Sequence, residues 1–337
     1  MSEWKVEVVK LGPITKHENA DSLGITEVHG GYPVIVRLGE YVEGELAVYV
    51  PIDSIVPDTE QWAFLKGHRR IKAKKLRGVF SMGMLAKLPN QEMLWEEGAD
   101  VAAVMGIEKY EADADAHDSK GPNAKRVRGP CEDDEPDPGL APVYTDIEGW
   151  RKWKRAIEPG EEVVCTEKIH GANARYVFHD GRLWIGSRTR WKKLEANTHW
   201  NTAAAHHDLA TKLATVPGIC IYGEVYGQVQ DLKYGCAGTS RFRMFDALDT
   251  STRRYLDHDD MLALARSLGI DTAPELYRGP WSEDVIALAN GDSTLPGANH
   301  MREGFVVKPV HERWDMRLGR VILKMVGEQY LLRKEAA

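Results

Sequence analysis

One lysine of this 337-residue chain stands where an amine could act as a nucleophile. Lys168, in CTEKIHGANARY (165–176), closes a β-rich run and is followed by a polar turn with one glycine. An ordinary lysine has a pKa of about 10.4, so at neutral pH almost none of it is free amine. Attack on a phosphorus atom requires that proton to leave, through nearby positive charge or removal from water. Arg188 in GSRTR, Lys308 in EGFVVKP and Lys324 in ILKMVG are the candidate cationic neighbours. Alone, a Lys-x-x-Gly reads as a surface turn. Here it is followed, in order, by GSRTR (186–190), by YGEVYG (222–227) with Glu224, and by FRMFDALD (242–249) with Phe245 and Asp246. REGFVVKP (302–309) with Glu303 and RVILKMVG (320–327) with Lys324 complete the series.

The elements that must hold these residues read as strands. EEVVCTEKI, ARYVFHD, RLWIGSRT, GICIYGEVYG, FRMFDAL, GFVVKPV and RVILKMV are short runs rich in Val, Ile and aromatics. Helical patterns are expected at 199–215, 256–268 and 282–290, with Gly269 and Gly291 as stop signals. His199, His206 and His207 match no metal-ligand spacing and read as helix-surface residues. The first half is β-rich, with HGGYP as a hairpin turn, and suggests a small OB-like barrel. The fold class is therefore α+β, an OB-like β-barrel followed by a domain of antiparallel sheets. Residues 1–110, 111–149 and 150–337 are read as barrel, acidic linker and second domain.

The net charge of −7 is unevenly spread. Residues 1–110 carry 13 Lys/Arg against 16 Asp/Glu, residues 111–149 carry 4 against 11, and residues 150–337 carry 27 against 24. The acid excess sits in a stretch rich in Pro and Gly, read as a solvated linker. Whole-chain charge therefore does not exclude a nucleic-acid partner, because local fields decide binding. Within the acidic first half, HRRIKAKKLRG (68–78) holds six basic residues. In an extended strand Arg70, Lys72 and Lys74 share one face. That stripe can follow a phosphate backbone or can simply protect a sheet edge from pairing. No apolar stretch approaches the ~20 residues of a membrane span, and the N-terminus does not read as a secretory signal. The four cysteines form no CxxC pair, which argues for a reducing cytoplasm and against a structural zinc site.

The ordered motifs resemble the covalent lysine nucleotidyltransferases, the polynucleotide ligases and messenger-RNA capping enzymes. Lys168-Ile-His-Gly-Ala-Asn173 is similar to their first motif and Ser187-Arg188-Thr189 to the second. Glu224, Phe245-Asp246, Glu303 and Lys324 match those that follow. His170 and Asn173 point to RNA ligases over DNA ligases and capping enzymes. ENADSLGITEV, LGEYVEGELAVYVPIDSIVP, IKAKKLRGVFSMGML and GEVYGQVQDLKYG resemble the Deinococcus-type RNA ligases, in which an OB domain precedes the nucleotidyltransferase domain.

The resemblance implies an ATP-grasp-like adenylylation domain and sealing of 3′-OH/5′-phosphate nicks, with RNA preferred at the 3′-OH side. It implies that Lys168 takes AMP from ATP and that Glu167 accepts a hydrogen bond from the adenine amino group. Phe245 would stack on the base and Glu224 would accept from a ribose hydroxyl. Asn173 and Arg188 would orient ribose or phosphate, and Lys324, helped by Lys308, would neutralise the α-phosphate. Glu303 would hold Mg2+ or Mn2+, and Asp246 would support the site or cap a turn. The expected partner is a nicked RNA duplex or RNA/DNA hybrid, bound by a monomer without an obligate protein partner. The fifth motif keeps one lysine where many relatives have two, and the 13 residues after Lys324 leave no room for the C-terminal domain of phage-type enzymes. DNA ligase, capping-type transferase, a non-catalytic OB-fold RNA-binding protein and an inactive ligase are the rival readings.

Overall fold

The computed structural model describes residues 4–90, 93–110 and 132–333. The chain divides into two units, one made of Met1–Ala112, Gly149–Lys154 and Leu331–Arg333, the other of Asp113–Glu148, Arg155–Tyr330 and Lys334–Ala337. The units therefore do not follow the expected boundaries, since the first recruits two short segments from far along the chain. Of the expected linker, residues 111–131 lie outside the described residues. Its remainder is not a linker. Asp134–Glu135 is a strand paired with Trp191–Lys192, and Ala141 and Tyr144 are buried. The acids read as solvated are met by bases: Asp134 lies 2.7 Å from Lys192 and 3.2 Å from Arg190, and Glu135 lies 2.7 Å from Arg182.

In the first unit, Glu7–Lys10, Leu46–Val50 and Met84–Ala86 form one antiparallel sheet. Thr15–Lys16, Leu23–Val28 and Tyr32–Arg37 form another. The turn between the last two uses His29 and Gly30 at φ 52° and 67°, as the HGG sequence anticipates. Alternate residues such as Val6, Val8, Val48 and Val50 are fully buried, which is the period-2 pattern of strands wrapped on one core.

The second unit holds two antiparallel sheets. The larger runs in the order Asp134–Glu135, Trp191–Lys192, Arg182–Ser187, Ala172–His179, Ile219–Tyr226, Arg241–Asp249, Arg254–Tyr255. Its outer face, with Ala172, Ala174, Tyr176, Ile221 and Val225, is covered by the helices His199–His206, Leu209–Ala214 and His258–Leu268. The expected helix over 199–215 is broken near His207 because Asp208 adopts φ 50°. The 282–290 helix is a 3-10 helix, Glu283–Ala289. The smaller sheet runs Leu323–Val326, Gly304–Pro309, Glu162–Lys168, Glu275–Pro280, with Glu148–Gly149 at its outer edge.

Among the histidines read as helix surface, His207 is a correction. Its Nε2 accepts from the Phe242 backbone N–H at 3.0 Å, and burial, followed by the charge of His206, lowers its pKa to about 4.

Candidate active site

Strand register decides which side chains can meet. Lys168 pairs with Gly304, which pairs with Val326, and Thr166 pairs with Val306, which pairs with Lys324. Cross-strand partners share a face, so Lys168, Val306, Lys324 and Lys308 point to one side of the smaller sheet. Glycine is required opposite the lysine, because a Cβ at Gly304 would lie 2.0 Å from the Met325 carbonyl oxygen.

The larger sheet presents Asn173, Arg175, Tyr222 and Glu224 on its inner face, with Asn173 directly opposite Glu224. Gly171 lets the turn after the lysine press close, since a Cβ there would meet the Val225 carbonyl oxygen at 2.2 Å. Pairing slips between Tyr222 and Gly223, so that Tyr222 faces Asp246 and Gly223 faces Met244. Phe245 is the extra residue of this bulge. A bulge re-aims a side chain, and Phe245 turns inward to lie 5.0 Å from the Tyr144 ring. Val306 of the smaller sheet and Ile322, just before its strand Leu323–Val326, pack in the same cluster as Tyr144, Tyr222 and Phe245, so the two inner faces meet here.

Charge is concentrated at this meeting. Lys168 Nζ lies 2.6 Å from Glu303 Oε1. Burial pulls the lysine pKa down, but the carboxylates of Glu303 and Glu224 outweigh it and the pKa rises. Burial pushes Glu303 up, yet Lys168 and His170 bring it down to about 2. Glu224 rises to about 8, chiefly through burial, against the pull of Lys168 and with the push of Glu303. Lys324 falls to about 8 through burial and then through the nearby charge of Lys168. His170 binds Asp231 Oδ1 through Nε2 at 2.7 Å and the Tyr330 hydroxyl through Nδ1 at 2.9 Å, while its backbone N–H donates to Tyr234 at 2.7 Å. Asp231 and Tyr330 escaped the sequence reading. Asp231 lies inside the quoted GEVYGQVQDLKYG, whereas nothing local marks Tyr330.

The structure brings together Lys168, Asn173, Glu224, Phe245, Glu303 and Lys324. Arg188 follows the strand Arg182–Ser187 and forms an ion pair with Asp146. Two assignments are corrected. Glu167, neighbouring Lys168 on a strand, points to the opposite face. It is 2% exposed and accepts from Ser293 Oγ at 2.5 Å and from Thr294 N and Oγ1 at 2.7 and 2.6 Å. Lys308 shares the inner face but is buried in ion pairs with Asp246 and Glu312, both at 3.0 Å. Four residues along the strand from Gly304, it is about 13 Å from the nucleophile's position. Asp246 is fully buried and also binds Arg320 at 2.6 Å and the Tyr144 hydroxyl at 2.7 Å, so it fastens the base of the bulge.

In the first unit, Ile71 and Ala73 are buried while Lys72 and Lys74 are exposed, the alternation expected of the stripe. Arg70 departs from it: its guanidinium is 2.7 Å from Asp53 and stacks 3.5 Å over Tyr110.

Among the described residues no group of three or more His, Cys, Asp or Glu forms a metal cage. Glu303 nonetheless fits a cation that keeps most of its waters. Its Oε2 is buried and makes no hydrogen bond, 3.4 Å from His170 Nδ1. No described helix is long and apolar enough to cross a membrane.

Residues 161–326 match the RNA ligase family model, and residues 5–88 match a model described as an OB-fold domain. No curated protein sequence matches the chain. Among solved structures, Naegleria gruberi RNA ligase with PPi is 22% identical, with TM-score 0.78, covering 98% of each chain. An alanine variant of that ligase with ATP and Mn is 20% identical, with TM-score 0.78, covering 97% of this chain and 98% of that one. A further variant with AMP and Mn is 22% identical, with the same TM-score and coverage. These likenesses establish the fold: an OB-fold domain with an antiparallel, RNA-ligase-like domain.

Proposed function

We propose, from the match of residues 161–326 to the RNA ligase family model and of residues 5–88 to an OB-fold domain model, that this chain is an ATP-dependent RNA ligase working through lysyl-AMP. Lys168 Nζ attacks the α-phosphorus of ATP, forming a P–N bond and expelling pyrophosphate. The AMP passes to a 5′-phosphate at a nick, and the adjacent 3′-OH displaces it to form the phosphodiester. The substrate is nicked duplex RNA or an RNA/DNA hybrid with RNA at the 3′-OH side, in the manner of the Deinococcus-type enzymes. The protein acts as a cytoplasmic monomer.

The observation that carries this reading is the amine of Lys168 between Glu303 and Glu224 on the face shared with Lys324. The resting enzyme holds that amine as a cation, and anything that neutralises Glu303 lowers its hold on the proton. Mg2+ or Mn2+, when bound at Glu303, supplies that neutralising charge. Lys324 is still mostly protonated at neutral pH and can meet the α-phosphate as negative charge builds. Arg188 can exchange Asp146 for a phosphate. Phe245 offers its ring to adenine, Glu224 and the orphan Oδ1 of Asn173 face the ribose, and Lys72 and Lys74 contact the nucleic-acid backbone.

The test is incubation with α-labelled ATP and Mg2+ or Mn2+, followed by a chase with a nicked RNA duplex. Label should appear on the protein, vanish in Lys168→Ala and move to the 5′-phosphate in the chase. A wild-type protein without covalent AMP under either metal overturns the reading. Labelling by GTP instead would assign a capping-type transferase, and equal sealing of all-DNA nicks a DNA ligase.

A further inference from the structure

Glu167 is nearly inaccessible, and three donors from Ser293 and Thr294 converge on its carboxylate. Bonds to a charged acceptor are roughly twice as strong as neutral ones. The same short stretch is closed on itself. Ser293 N–H donates to the His300 carbonyl at 2.9 Å, and Leu295 N–H donates to Ser293 Oγ at 3.3 Å. Arg302 grips the Asp292 carbonyl through Nε and Nη2 at 3.0 and 2.7 Å. The loop leads directly into Glu303. Leu295, next to the clamped threonine, is buried in a cluster with Ile169, Tyr226, Tyr234, Cys236 and Ala273, against which Phe245 packs. One end of the clamp is thus covalently next to Lys168, and the other delivers an apolar side chain into the cluster against which Phe245 packs.

We propose that Glu167 is a positioning residue: its carboxylate clamps Ser293 and Thr294 on the far side of the strand from Lys168 and so seats Leu295 beside the nucleobase pocket. Selection of adenine is then made by the shape of that seat and not by a hydrogen bond from Glu167 to the base. The inference rests on the lysyl-AMP reading above.

Single-turnover self-adenylylation with α-labelled ATP and GTP separates the cases, using Glu167→Gln, Thr294→Val, Thr294→Ser and the Glu167→Gln/Thr294→Val pair. Glu167→Gln and Thr294→Val should each raise the KM for ATP about tenfold, the loss of one charge-assisted bond. Both should lower the ATP-over-GTP preference by the same factor. The double variant should be no worse than the stronger single, because both cut one clamp. Thr294→Ser keeps the hydroxyl and should restore both parameters. Loss of base preference in Glu167→Gln with full preference in Thr294→Val overturns the proposal, because Glu167 would then read the base itself. Unchanged KM and preference in both overturns it as well. If Glu167→Gln fails to fold, the contrast between Thr294→Val and Thr294→Ser decides alone. Absence of label on the wild type strikes the ligase reading instead.

Discussion

Glu224 carries a cost that can be measured without any substrate. Its pKa rises from 4.5 to about 8 in the folded chain. The folded state therefore holds this proton more tightly than the unfolded state does. Its penalty is absent below about pH 4.5 and grows as pH rises toward 8. Glu224→Gln removes it, so thermal melts should show the variant gaining on wild type across that window and levelling above it. A constant difference would deny the shift. Glu303→Gln removes the partner that holds Lys168 charged and the cation's carboxylate together. Adenylylation should fall by about a hundredfold or more, measured as initial label per enzyme in a protein of unchanged circular dichroism. At this scale the sequence was informative where residue type dictates chemistry: Lys168, Glu224, Phe245, Glu303 and Lys324, singled out from their order along the chain, lie together in the fold. The resemblance puts Glu167 at the adenine, whereas its strand parity sends the carboxylate to the other face, onto Ser293 and Thr294. The sequence was silent on Tyr330, which reaches His170 from 160 positions away.

Strands and arms explain the next layer. Two adjacent residues, Phe245 and Asp246, both serve the inner face, which regular alternation forbids and the bulge permits. Nothing in FRMFDALD announces a bulge, because slippage depends on the partner strand. Close approach is legible only in retrospect from Gly304. Gly304→Ala must part its strand from Met325, at about 1–3 kcal/mol. It should lower the melting temperature and also slow adenylylation by displacing Lys168. A variant melting like wild type would show that the strands yield freely. The acidic arm 132–148 was misread because composition reports charge but not its partners; Lys192, Arg190 and Arg182 turn those acids into sheet edge. The arm also supplies Asp146 to Arg188. Asp146→Asn should lower the KM for ATP severalfold in an enzyme retaining Arg188 and have no effect in Arg188→Ala. Equal effects in both backgrounds would sever the link.

Across the whole molecule, the charges of its regions were legible from simple counting, and the OB-fold and antiparallel classes from strand spacing. The division into units was not, because it depends on which distant segments return to a core. Nick binding should weaken when Lys72 and Lys74 become alanine. The slope of log affinity against log salt should fall by about 0.9 for each lost phosphate contact, with adenylylation untouched. An unchanged slope would make the stripe a guarded edge and nothing more. The first unit also draws on chain that comes long after residue 110. Arg151 donates to the Gly31 carbonyl at 3.3 Å, Lys152 lies 3.8 Å from Glu7, and Leu331 and Leu332 lie against Ala73, Phe80 and Met82. Such a barrel cannot be inherited as a cassette. A recombination that transplanted only residues 1–110 onto another enzyme would leave behind two pieces of its own wall, Gly149–Lys154 and Leu331–Arg333, and arrive with a bare, sticky flank.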